Sequence, residues 1–159
     1  MQSRNNEKSD RQDAELLLRE MAEDPRIRQM KNYTQHGTVS TYDHCLAVAQ
    51  MSLKMADRLH IRVDRKNLVR GALLHDYYLY DWHDHGDSLH GYHHPEIAEK
   101  LAADEFSLSE KERGIIRSHM WPLTLFHAPC SKEAALVCLA DKICSSKETL
   151  QGFFKRRHS

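Results

Sequence analysis

The sequence predicts an all-α fold, a single helical bundle, on three observations. Apolar residues recur at intervals of three and four in one segment after another. Capping residues stand ahead of most of those segments, and no stretch alternates apolar with polar as a half-buried strand would. The 159 residues suit one domain with a sizeable core. Residues 1–10 are polar and expected to be disordered, which leaves 11–159 as the domain and about 30–150 as its core.

The first helix is predicted from about Arg11 to Ala22, with Leu16, Leu17 and Met21 apolar, and it stops at Asp24-Pro25 because a residue before proline avoids helical backbone. Residues 31–40 (KNYTQHGTVS) read as a loop. Ser40 or Thr41 can cap a second helix, in which Leu46, Val48, Ala49, Leu53, Met55, Ala56 and Leu59 keep helical spacing. Asp64 caps a third, running through Leu68, Val69, Ala72, Leu73 and Leu74 to about Tyr78. Residues 80–93 (YDWHDHGDSLHGYH) read as a loop, either a polar surface segment or a lid carrying Trp82, His83, His85, His90 and Tyr92. A helix from His94 or Pro95 to Glu105 follows, since proline is tolerated in a first turn. Ser109 and Glu112 form a capping box for the next, which reaches about Met120 before Pro122, with Trp121 either shaping the pocket or, more simply, closing an edge of the core. Ser131 caps the last helix, through Ala134, Leu136, Val137, Leu139 and Ile143 to about Phe154.

Lys and Arg number 23, as do Asp and Glu, so the chain lacks the excess charge that would bind nucleic acid polymers or anionic membranes. No apolar run approaches the roughly 20 residues of a membrane span, and the polar N-terminus shows no secretory signal, which makes the cytoplasm the expected compartment. Cys45, Cys130, Cys138 and Cys144 form no C-x-x-C pair and are expected to be small hydrophobes rather than a disulfide framework or zinc site. Histidine is the outlier, with 12 residues, most of them between His75 and His127.

Each predicted helix after the first carries a polar residue on its apolar stripe. His44 precedes Val48, Met51 and Met55 by four, seven and eleven, and His75 follows Ala72, Gly71 and Leu68 by three, four and seven. His94 leads Ile97, Ala98 and Leu101, His119 follows Ile115 and Ile116, and Asp141 follows Val137 and Cys138. Asp76 adds a second carboxylate beside His75. One inward histidine is ordinarily a hydrogen-bonded core residue, but one per helix across five helices calls for a shared cation, because an unpaired buried carboxylate costs several kcal/mol. Four imidazoles and two carboxylates suit Mn, Fe, Co, Ni or Zn and are too nitrogen-rich for Mg or Ca. Six ligands are many for one ion that must keep a position open, so two ions are expected, with a carboxylate shared between them.

At these residues the chain resembles the HD superfamily of metal-dependent phosphohydrolases. The matching segments are YDHCLAVA at His44, ALLHD at His75-Asp76, HHPEIAEKLA at His94, IIRSHMWPLT at His119 and LADK at Asp141, spanning roughly residues 30–150. His94, four before Ala98, fits the third motif better than His93, though a shift of register would exchange them. Alarmone hydrolases exemplify single-metal members, which lack the third and fourth ligands. With His94 and His119 the chain is more similar to two-metal members, which include bacterial symmetrical dinucleoside-tetraphosphate hydrolases and cyclic-dinucleotide phosphodiesterases; it lacks the GYP motif of the latter. The resemblance implies hydrolysis of phosphate mono- or diesters of a small, nucleotide-like molecule by a metal-bridging hydroxide, with Asp76 orienting it. Leu79 stands where many members carry a lysine, so phosphate contact falls to Lys142, Arg117 or a loop histidine, and His36 is a candidate proton donor. A di-iron oxygenase of HD type is the alternative, and a non-catalytic sensing module ranks behind it. A homodimer is compatible with the sequence.

Overall fold

The computed structural model describes residues 2–36, 38–78 and 90–157, with the side chains of 6–35, 38–78 and 93–154. Along the chain run α1 (Gln2–Ala22), α2 (Pro25–Arg28), a 3₁₀ turn (Gln29–Asn32), β1 (Thr34–His36), β2 (Val39–Ser40), α3 (Thr41–Arg58), α4 (Arg65–Leu74), α5 (His90–Glu105), α6 (Glu110–Ser118) and α7 (Lys132–Arg157). The fold is an all-α bundle in which α3 packs on α4 and α7, and α4 on α6.

Helix starts follow the caps. Ser40 accepts from the Asp43 N–H, Asp64 from that of Asn67, and the Ser109–Glu112 box is made in both directions. Ser131 Oγ accepts from the Ala134 N–H at 3.0 Å. Cys45, Cys138 and Cys144 are buried and Cys130 is exposed, all with free thiols. Among the described residues no helix is long and apolar enough to cross a membrane.

Four expectations are corrected. Residues 2–10, expected to be disordered, are the first turns of α1; Asp10 reaches Arg65 at 3.3 Å and Glu7 reaches Arg62 at 3.9 Å, while Ala14, Leu18 and Met21 dock the helix further along. Extending a helix that tertiary packing has already nucleated costs little, even for a polar sequence. The segment 31–40 holds a small antiparallel hairpin, β1 against β2, too short for alternation to register in the sequence. Helix α5 starts at His90, so Pro95 lies more than a turn inside it. Trp121 is 40% exposed and closes no core edge.

Two packing details hold the helices that carry the site. The β-carbon of an alanine at Gly71, on α4, would lie 2.6 Å from Ile115 Cδ1, 2.9 Å from Cγ2 and 3.0 Å from Cβ, on α6. Rotation of the Ile115 side chain moves the first two atoms but not Cβ, so the helices would have to part by a few tenths of an ångström. At the other end Glu133 accepts the Asp64 N–H at 2.7 Å, with Lys111 3.6 Å away. Burial pushes the Glu133 carboxyl up, but the Asp64 N–H and its other donors hold it below its usual value. The Asp64 carboxyl, likewise opposed by burial, is kept low by the amides of Asn67 and by Lys111.

Gly71→Ala is expected to destabilise the fold by about 1–3 kcal/mol. In a thermal-denaturation double-mutant cycle, Ile115→Ala in the same chain should recover part of that loss; strict additivity would show that no close approach exists. Because the folded carboxyls of Asp64 and Glu133 titrate below their unfolded values, their contribution is complete above about pH 4 and is lost as pH falls through the folded values. The urea midpoint should therefore drop in that acid window, and Glu133→Gln should flatten the drop.

Candidate metal centre

The centre is assembled largely at helix ends. His75 and His119 are the C-cap residues of α4 and α6, each in right-handed helical conformation. A last turn leaves carbonyls without intrahelical partners, and each ring takes one of them. His75 Nδ1 lies 2.7 Å from the Ala72 carbonyl, and His119 Nδ1 lies 2.6 Å from that of Ile116. A carbonyl only accepts, so Nδ1 carries the hydrogen in both rings and Nε2 is free to present a lone pair. Both Nε2 atoms are buried and lack a hydrogen-bond partner among the described residues.

His44, in the first turn of α3, completes a chain of rings with His94 of α5. Centroids are 5.3 Å apart for His44 and His75, 4.9 Å for His75 and His119, and 5.4 Å for His94 and His119. The two carboxylates lie among them. Asp141 Oδ1 is 3.1 Å from His44 Nε2 and 3.8 Å from His75 Nε2. Asp76 is divided between two sides. Its Oδ2 is 3.3 Å from His75 Nε2 and 3.6 Å from His44 Nε2, whereas its Oδ1 is 2.6 Å from His94 Nε2 and 3.2 Å from His119 Nε2. All six groups are buried, His44 and His75 completely.

These donors fit a metal. Two sets, His44–His75–Asp141 and His75–Asp76–His119, each keep their ligand atoms within 4.8 Å of one another, and the Nε2 atoms of His75 and His119 are buried without a hydrogen-bond partner among the described residues. The electrostatics agree. Burial pulls His44 down, but Asp141, Glu148 and Asp76 push it up to about 10; burial likewise opposes Asp76, whose carboxylate nevertheless holds His75 well above its usual value. His119 is lowered, by burial above all, and Asp76 and Asp141 are held low by the surrounding imidazoles against the effect of burial. A divalent ion held among these groups would take the place of protons on the imidazoles.

The structure brings together His44, His75, Asp76, His94, His119 and Asp141, and it settles the register of α5: His94 is buried against Asp76, and His93 is exposed. Two of the three residues proposed to touch substrate have partners of their own. Arg117 is engaged by Glu99 at 2.7 Å, and Lys142 donates to the His119 carbonyl at 3.0 Å, closing the end of α6. The side chain of His36 lies outside the described residues, as do Leu79, Trp82, His83, His85, His90 and Tyr92.

Two participants escaped the sequence. Glu148 meets His44 Nδ1 at 2.9 Å, and Gln35 on β1 donates from Nε2 to Asp76 Oδ2 at 2.6 Å. Glu148 follows Asp141 by seven residues, two turns along the same face of α7, so helical spacing could have found it. No periodicity marks Gln35.

A helical bundle that gathers an ordered series of histidines and aspartates around a cation site defines a class of metal-dependent, phosphohydrolase-type proteins. The HD domain family model matches residues 41–145, and the chain belongs to that family. No curated protein matches the chain. The matched span contains all six clustered residues and neither Gln35 nor Glu148.

His75→Ala and Asp141→Ala are each expected to abolish metal loading, measured by elemental analysis of the purified protein; unchanged loading in both would refute the centre. Divalent metal at about 100 times its Kd should stabilise the wild type by about 2.7 kcal/mol, an effect that a chelator reverses and His75→Ala lacks.

Proposed function

We propose that the protein hydrolyses phosphate mono- or diesters of a small, nucleotide-like molecule with two divalent transition-metal ions. The observation that carries this reading is the division of Asp76, whose two oxygens face different pairs of imidazoles. On this reading His44, His75 and Asp141 hold one ion, His94 and His119 the other, and Asp76 is shared. Divalent ions held by such ligands acidify water toward neutrality and offset the negative charge of a phosphoryl group.

The chain's own residues orient and insulate. Gln35 fixes the plane of the Asp76 carboxylate through its amide N–H, and its own Oε1 accepts from the Tyr78 hydroxyl, so the amide can face only one way. Burial raises the Tyr78 phenol, which therefore stays a donor. Lys142 and the backbone carbonyls hold the ends of α4 and α6 in place, which keeps the imidazoles aimed inward. The ring of His94 meets that of Tyr78 edge-on, 5.0 Å between centroids.

A screen of phosphoesters and nucleotides with added Mn²⁺, Fe²⁺, Co²⁺, Ni²⁺ or Zn²⁺ tests the proposal. About two metal equivalents per chain and turnover with Mn²⁺ alone are expected, and Asp76→Asn should lower kcat by at least about 10²-fold. Turnover that requires iron and consumes oxygen would replace hydrolysis with oxygenase chemistry. Full metal loading without turnover of any substrate class would favour a sensing module.

A further inference from the structure

We infer that Glu148 is a positioning residue for the metal centre: it fixes the tautomer and the basicity of His44. The inference rests on the metal-centre reading above and adds a residue outside the family match.

The three histidines whose Nδ1 contacts are known solve the same problem in two ways. His75 and His119 sit at helix C-termini and give their Nδ1–H to a spare backbone carbonyl. His44 lies in the first turn of α3, where the unpartnered backbone groups are N–H donors and no carbonyl is spare. Its Nδ1 needs an acceptor from elsewhere, and α7 supplies one. Glu148 Oε2 lies 2.9 Å and Oε1 3.1 Å from Nδ1, while Asp141, on the same helix, faces Nε2 at 3.1 Å. One helix thus grips a fully buried ring from both sides, and Glu148 is itself only 8% exposed.

A carboxylate accepts and does not donate, so Nδ1 carries the hydrogen whenever Nε2 is a ligand. The negative charge does more than a carbonyl dipole can: it draws the Nδ1 proton toward Glu148, making Nε2 a stronger donor. Among the described residues no Lys or Arg pairs with Glu148, and its ion-pair partner is His44. Its burial would be hard to explain by surface stability.

Chelator-competition titrations with Zn²⁺ or Co²⁺ on the full chain, wild type against Glu148→Ala and Glu148→Gln, test this. Glu148→Ala should weaken binding by about 10–100-fold. Glu148→Gln, whose Oε1 still accepts the hydrogen bond but carries no charge, should fall between. In the Zn²⁺-loaded protein, long-range ¹H–¹⁵N correlation should show the Nδ1–H form of His44 in wild type and the glutamine variant, and lose its protected proton in the alanine variant. A purely structural role would produce neither the graded loss of affinity, with glutamine between wild type and alanine, nor a change of tautomer. Affinity and tautomer indistinguishable from wild type in Glu148→Ala overturn the inference. If that variant does not fold, the glutamine variant decides, and wild-type affinity in it is equally fatal. Failure of the wild type to bind metal at all would instead bring down the metal-centre reading itself.

Discussion

Three carboxylates buried against imidazoles are the constraint around which this bundle is organised. Elsewhere the fold answers a buried acid with a permanent cation or a backbone donor. Glu99 is clasped by Arg113 and Arg117, Glu112 by Arg70, and Glu133 by the Asp64 N–H and Lys111. At the centre the ion-pair partners of Asp76, Asp141 and Glu148, among the described residues, are all histidines. An arginine there would neutralise the acids for good. Imidazoles neutralise them conditionally, by holding protons that a metal ion can displace. The periphery therefore pairs its acids permanently, whereas the pairing at the centre would let a cation take the place of protons.

Helix ends translate that constraint into geometry. A residue at a C-cap has a spare carbonyl three positions back, so a histidine placed there has one nitrogen occupied and the other aimed outward along the axis. Two helices, α4 and α6, use the device, and the absence of a side chain at Gly71 lets them approach closely enough to put the His75 and His119 rings 4.9 Å apart. A contact in the apolar core thus sets a spacing at the metal site. Such sites tolerate little slack, because a ligand displaced by a fraction of an ångström binds poorly.

The helices and five of the six clustered residues were legible because both obey the 3.6-residue period, and Asp76 was legible as the neighbour of His75. His44, His75, His94, His119 and Asp141 announced themselves as polar groups on apolar stripes, and all five proved buried. What escaped did so for physical reasons. The helical start of α1 depends on ion pairs with Arg62 and Arg65, which are distant in sequence. Gln35 sits on a strand of three residues, where no pattern can accumulate. For Lys142 and Arg117, read as candidate phosphate contacts, the sequence did not show the local partners that the folded chain provides, the His119 carbonyl for one and Glu99 for the other.

The two unforeseen residues divide the labour of the site with the matched segment. Residues 41–145 contain the six clustered residues, and the elements flanking them, β1 and the far end of α7, supply hydrogen-bond partners to two of these, Asp76 and His44. The choice of residue at each place follows from charge. As a metal ligand His44 would be neutral and would gain donor strength from an anionic partner, so Glu148 suits it. Asp76 is already anionic and must keep its charge for the metal. A lysine beside it would fix its orientation but cancel its field, whereas the amide of Gln35, itself locked by the Tyr78 and Thr41 hydroxyls, fixes the orientation and leaves the charge intact. Residues at these two positions can thus adjust the strength and rigidity of the centre while leaving its ligands unchanged.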